Sequence, residues 1–184
     1  MSRRLVVVVA AAVAFAAGAA TGQPKPAPRP AAAPAVVMTV EQRGQVRLEL
    51  WPADAPGHVK NFLDLVRKGF YDGQRVHRVE PGFVVQFGDP QTKTLPLTDP
   101  RIGGGGPGYT IKAEFNKRPF DRGVLGMART DDPDSAGSQV YLMLGPAHFL
   151  NGKYTAFGRV TSGMDVVDRM KVGDRITSIK VVDK

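Results

Sequence analysis

From Val36 onward, apolar and polar positions alternate in short runs separated by glycine, proline and polar clusters. The stretch VVMTVEQRGQVRLELW holds two β-rich arms about Gln42, Arg43 and Gly44, the pattern of a hairpin. In VHRVEPGFVVQFGD, residues 76–89, Phe83, Val85 and Phe87 alternate with Val84, Gln86 and Gly88, and Pro81-Gly82 divides the run into two arms. Strand-like runs recur around residues 75–80, 83–87, 109–112, 122–129, 138–144 and 155–160, and RITSIKVVD forms a final strand. Two stretches carry a helical pattern instead. Val59, Phe62, Leu63, Val66 and Phe70 give one apolar stripe, with Asp54 ahead of it, Pro56 in its first turn and Gly69 at its end. MDVVDRMK is a second, shorter helix. Many short strands with Gly/Pro turns predict an antiparallel sandwich or closed barrel rather than a βαβ fold. The two helices lie far apart in sequence and are expected to cap its two ends.

The chain begins differently. In MSRRLVVVVAAAVAFAAGAA, Arg3 and Arg4 precede an uncharged run from Leu5 to Ala20 that ends in small residues. This is the order of a secretory signal, and the run is short against the roughly 20 residues that span a bilayer. A cleaved export signal is therefore expected over residues 1–20, with an uncleaved anchor as its alternative. The paired arginines suit a twin-arginine signal and an ordinary n-region alike. Residues 21–35 are rich in proline and alanine and read as an extended linker. Residues 36–184 form the folded domain, and the chain is long enough to bury roughly two thirds of its unfolded surface. The expected location is the periplasm or cell envelope.

Charge and candidate chemistry narrow the function mainly by exclusion. Of the formal net charge of +8, four come from Arg3, Arg4, Lys25 and Arg29 in an N-terminal region without acids. The remainder is spread without a basic run, so nucleic-acid binding is not expected. The chain has no cysteine, and His58, His77 and His148 share no metal-ligand spacing. DDPDS, residues 131–135, lacks the rest of a calcium loop, and GGGGPG, residues 103–108, is not followed by GK[ST]. There is no GxSxG elbow. No metal, cofactor or activated nucleophile is expected.

Four stretches read together carry a positive signal: VHRVEPGFVVQFGD, GVLGMART, GSQVYLML and FLNGKYTAFGRV. They resemble the signature blocks of the cyclophilin family of peptidyl-prolyl isomerases, in order and at suitable separations. NFLDLV and GYTIKAEFN resemble its bacterial members too. The resemblance covers residues 36–182. It implies a mainly β fold, a closed eight-stranded antiparallel barrel capped by two α-helices, with the active groove on its outer face. It further implies that Arg78 is the catalytic residue and that Phe83, Tyr141 and Leu150 form a slot for the substrate proline ring. Gln86 would hold Arg78, while Gln139 and the Arg129 backbone would hold the peptide. Val84, Ala128, Thr130, Phe149 and Tyr154 would complete the groove. The implied partners are flexible proline-containing polypeptides, engaged by a monomer without a cofactor.

The sequence departs from the family at several of these positions. Phe149 stands where many members carry tryptophan, Tyr154 for histidine, Val84 for methionine, Tyr141 for phenylalanine and Arg129 for asparagine. The missing indole bears on cyclosporin binding and not on catalysis. QTKTLPLTDPRI, residues 91–102, is longer than the usual connection and reads either as an inert insertion or as a contact that narrows the choice of client. Two other functions compete with an exported isomerase: a proline-peptide binding module, and a structural envelope protein. A pure binder needs the slot but not the cation. His77, beside Arg78, is expected to be structural.

Overall fold

The computed structural model describes residues 33–182, so the export signal expected over residues 1–20 and most of the expected linker lie outside the described residues. Eight antiparallel strands form among the described residues: β1 (Ala35–Val40), β2 (Gly44–Leu50), β3 (Arg78–Glu80), β4 (Val84–Phe87), β5 (Val124–Met127), β6 (Val140–Met143), β7 (Ala156–Ser162) and β8 (Ile176–Val182). They hydrogen-bond in the order β3-β4-β6-β5-β7-β2-β1-β8. The curled sheet ends at β3 and β8, so the ring is not one continuous ladder. It is joined by a bridge between Arg75 and Arg175, flanked by Val76 N–H to Asp174 carbonyl at 2.9 Å and Gly173 N–H to Val76 carbonyl at 2.9 Å.

One expected strand is absent. Residues 109–112 supply only an isolated bridge, Ile111 to Ala136. Just beyond it the backbone is satisfied by side chains: Ala113 N–H donates to Asp134 and Glu114 N–H to Thr155 Oγ1. A chain tied down residue by residue in this way needs no strand partner.

The two α-helices among the described residues are α1 (Pro56–Arg67), with proline in its first turn, and α2 (Met164–Asp168). Their apolar faces enter the interior, where Phe62, Leu63, Val66, Val166 and Val167 join Val85, Phe87, Leu125 and Leu142 in one buried cluster. Phe62 packs edge-on against Phe157 at 5.5 Å and lies 5.2 Å from Tyr71, whose hydroxyl donates to the Ser138 carbonyl at 3.0 Å. Each such side chain contributes about 1.5–3 kcal/mol by leaving water.

Strand β4 shows how the same strands also build an outer face. Val85 and Phe87 point inward, while Val84 belongs to a second buried cluster with Tyr141, Met143, Leu150 and Phe120. Simple alternation places Phe83 on the side of Val85 and Phe87. Its N–H instead closes a turn on the Glu80 carbonyl before β4 begins, and its ring packs on the outer cluster. Gly126 makes this outer cluster possible: a Cβ there would stand 2.4 Å from the Tyr141 ring.

Candidate active site

Register across the sheet sets out the site. Arg78 of β3 pairs with Gln86 of β4, and Gln86 pairs with Tyr141 of β6. Three neighbouring strands therefore present a cation, an amide and an aromatic ring in a row. Arg78 Nη1 donates to Gln86 Oε1 at 3.2 Å, and Gln86 Nε2 donates to Gln139 Oε1 at 3.0 Å. Gln139 Nε2 in turn donates to the carbonyls of Gly103 and Gly105, each at 2.8 Å. With both ends of its amide engaged, Gln139 links the Arg78–Gln86 pair to the glycine-rich loop.

Arg78 is about half exposed, lies 3.4 Å from Glu80 and has its guanidinium carbon 5.9 Å from the Phe83 ring centre. It stands at a cavity of about 670 Å³. Phe83 and Phe149 meet at 5.8 Å on one side of this cavity, and Phe149 is 66 % exposed. Tyr141 is stacked on Phe120 at 6.1 Å, meets Tyr154 edge-on at 6.4 Å and shares the buried cluster with Val84 and Leu150. The Tyr141 hydroxyl is buried with no hydrogen-bond partner among the described residues, and burial raises its pKa well above the ordinary phenol value.

Ladder pairing on β5 ends with Ala128, whose N–H donates to the Gln139 carbonyl, so the Arg129 backbone lies just beyond the sheet. The Arg129 side chain is folded back, 4.4 Å over the Tyr154 ring, and donates to the carbonyls of Thr130 and Lys153 at 2.7 and 2.9 Å. Ten of the twelve residues expected at the site, Arg78 included, line the main cavity. Thr130 and Gln139 line an adjoining cavity of about 440 Å³, which shares Gln86, Ala128 and Arg129 with the first.

Several groups at the main cavity were not foreseen: His77, Glu80, Leu97, Asp99, Ile102 and Gly103. The unusual length of residues 91–102 was the available signal for three of them. Burial lowers the pKa of His77, opposed by the Asp89 carboxylate and by Gln139. The Gln139 amide is committed elsewhere, so both ring nitrogens of His77 lack a partner among the described residues, and burial favours the neutral ring.

An outer-face groove on an eight-stranded, two-helix curled barrel, with an arginine beside an apolar slot, defines a class that comparison makes specific. The model of the cyclophilin type peptidyl-prolyl cis-trans isomerase family matches residues 35–183, and the chain belongs to that family. It is 48 % identical over 133 residues to a probable peptidyl-prolyl cis-trans isomerase of Brucella suis, covering 71 % of this chain and 68 % of that one. It is 42 % identical over 144 residues to peptidyl-prolyl cis-trans isomerase B of Bacillus subtilis, covering 77 % and 94 %. A cyclophilin type isomerase of Cryptosporidium parvum, crystallised in the presence of the dipeptide Ala-Pro, superposes with a TM-score of 0.71 at 26 % identity, covering 82 % of this chain and 99 % of that one.

Proposed function

We propose that Arg78 is the group with which this isomerase accelerates rotation about X-Pro bonds, and that its clients are exported polypeptides. One observation carries the first part: the Arg78 guanidinium, held by Gln86, stands at a cavity whose apolar side includes Phe83, Tyr141 and Leu150. The Ala-Pro dipeptide used with the related structure supports proline peptides as its ligands. The residues named all lie in one chain, and the monomer is the proposed working unit.

The physics suits these residue types. Amide resonance sets a rotation barrier of about 18–20 kcal/mol. Uncatalysed, the event takes roughly 10–100 s, slow enough to limit folding. No bond to a heavy atom forms or breaks, and no proton needs to be removed. As the amide twists, the proline nitrogen lone pair leaves conjugation and becomes a hydrogen-bond acceptor. A guanidinium keeps its charge and gives a charge-assisted bond to that lone pair. The apolar slot holds the ring while the carbonyl side turns.

Reaching milliseconds requires about four to five decades, or roughly 6–7 kcal/mol. A donor aimed at charge that develops in the transition state supplies about 3–4 kcal/mol of that. Gripping the ring and selecting the twisted amide supply the rest.

Exchange NMR on a short Ala-Pro peptide tests the reading without a coupled protease. The chain is expected to accelerate cis–trans exchange, and Arg78→Ala to cut that acceleration by about 10²–10³. Saturable peptide binding without acceleration would make the protein a binding module instead. Export rests on Arg3, Arg4 and the uncharged run Leu5–Ala20. Mass spectrometry of the protein from the cell envelope tests it: an N-terminus after Ala17–Ala20 is expected, and an intact Met1 would point to an anchor.

A further inference from the structure

We propose that residues 91–102 form a second wall of the groove, which selects the residue flanking the substrate proline and favours a bulky apolar side chain there. This rests on the isomerase reading above and gives it a sequence preference.

Position comes first. On one side of Arg78, β3 pairs with β4 and leads to Tyr141. On its other side, the chain entering β3 exchanges hydrogen bonds through Val76 with Gly173 and Asp174. Leu97 lies on that second side: its Cδ1 is 3.8 Å from where a side chain on Gly173 would begin. Leu97 and Ile102 nevertheless line the same cavity as Arg78 and Tyr141. Arg78 therefore stands between the proline slot and a second apolar surface, continuous with it.

The segment is pinned rather than loosely draped. Asp89 is fully buried and binds both of its ends, accepting from Gln91 N–H at 2.8 Å and from Gly103 and Gly105 N–H at 2.6 and 3.2 Å. Arg75 donates to the carbonyls of Thr92 and Leu95 at 2.7 and 2.5 Å, and Gln91 Nε2 to that of Arg101 at 3.0 Å. A wall ordered before the peptide arrives costs little to use. Gln139 bonds the same glycines, so the wall and Arg78 share one hydrogen-bond chain.

Chemistry then decides the preference. The wall offers the half-buried side chains of Leu97 and Ile102. Its one charged group at the cavity, Asp99, is gripped by both Nε and Nη2 of Arg101 at 2.9 and 2.8 Å, which holds its pKa down to about 2 and neutralises it towards a ligand. Glu80 faces Arg78 at 3.4 Å. What remains for a neighbouring residue is apolar contact.

The test compares short peptides with Leu, Ala or Asp placed either before or after the proline, reading kcat/KM by exchange NMR. In one of the two series, Leu is expected to exceed Asp by about tenfold, and the double variant Leu97→Ser/Ile102→Ser to bring that ratio within about twofold of unity. Any loss common to both peptides cancels in the ratio. Leu97→Lys is expected to reverse the order, so that Asp exceeds Leu, a result that a misfolded protein cannot give. Equal values for the parent, or variants that keep the parent's ratio, would overturn the wall. If the parent accelerates none of the peptides, the isomerase reading has failed separately. The Kd ratio of the same peptides then judges the wall: tighter Leu binding supports it, and equal binding overturns it.

Discussion

Alternate residues of β4 face two different environments. Val85 and Phe87 enter a barrel interior that both helices and six further strands help to fill, and each is fully buried. Val84 and Gln86 face outward, where a smaller cluster covers only part of the sheet and leaves a cavity of about 670 Å³. The polar groups also differ. Outside, a hydrogen-bonded line runs from Arg78 of β3 through Gln86 of β4 to Gln139, just ahead of β6. The comparison separates two duties within one strand: the filled face holds the fold, and the incompletely covered face carries the groove proposed to meet the peptide.

The sharpest way to break this division is to change neighbouring residues on opposite faces. Phe87→Ala removes a fully buried ring and is expected to cost about 3–5 kcal/mol of stability in urea unfolding, with turnover per folded molecule retained. Arg78→Ala should do the reverse, lowering catalysed exchange by about 10²–10³ while moving stability by less than about 0.5 kcal/mol. If Arg78→Ala unfolded the protein, or Phe87→Ala abolished turnover in molecules that remain folded, the two faces would not be separable.

A smaller effect tests whether Gln86 acts through Arg78. Gln86→Ala should lower kcat/KM by roughly tenfold, because an unheld guanidinium samples other positions. Added to Arg78→Ala, it should cause almost no further loss. Additive losses in the double variant would give Gln86 an independent role.

The sequence made the filled face legible and the open face only partly so. Alternation and turn residues located all eight strands, and helical spacing located α1, because burial imposes those periods directly. It overreached at residues 109–112, where side chains of Asp134 and Thr155, distant in sequence, hold the backbone near an expected strand. Phe83 obeyed turn geometry rather than strand alternation. Only family motifs placed it in the groove, since periodicity carries no information about a ring that leaves the strand. Leu97 and Ile102 were least accessible: their place depends on Asp89 and Arg75 folding the long segment back, and those bonds leave no periodic trace.

Tyr141 gives a smaller and opposite effect. Its hydroxyl is buried in the outer cluster without a partner among the described residues. Removing an unsatisfied polar atom while keeping the ring should stabilise, so Tyr141→Phe is expected to gain about 1 kcal/mol, or roughly 2–4 °C in Tm. A loss of stability would mean that the hydroxyl has a partner in solution.

The smallest expected effect is the pH dependence of turnover, set against a larger one in stability. His58 is buried with Nδ1 2.7 Å from Glu114 Oε2, and burial lowers its pKa below 6.5 despite the pull of the carboxylate. Burial pushes Glu114 upward, but bonds from the N–H groups of His58 and Gly57 and from the His58 ring leave its pKa below 4.5. The pKa of His77 is lowered as well, chiefly by burial. For each group the unfolded chain takes up protons first, so the stability it contributes is present above the unfolded value and lost on acidification. Tm should be level above about pH 7, fall below about 6.5 as the histidines charge, and fall again as Glu114 protonates. Turnover per folded molecule should stay flat between about pH 6 and 8, because the proposed chemistry transfers no proton and burial favours the neutral form of His77. A bell-shaped profile in that range would instead put a titrating group into the rate-limiting step. His77 lines the cavity next to Arg78, so it would be the first residue to replace.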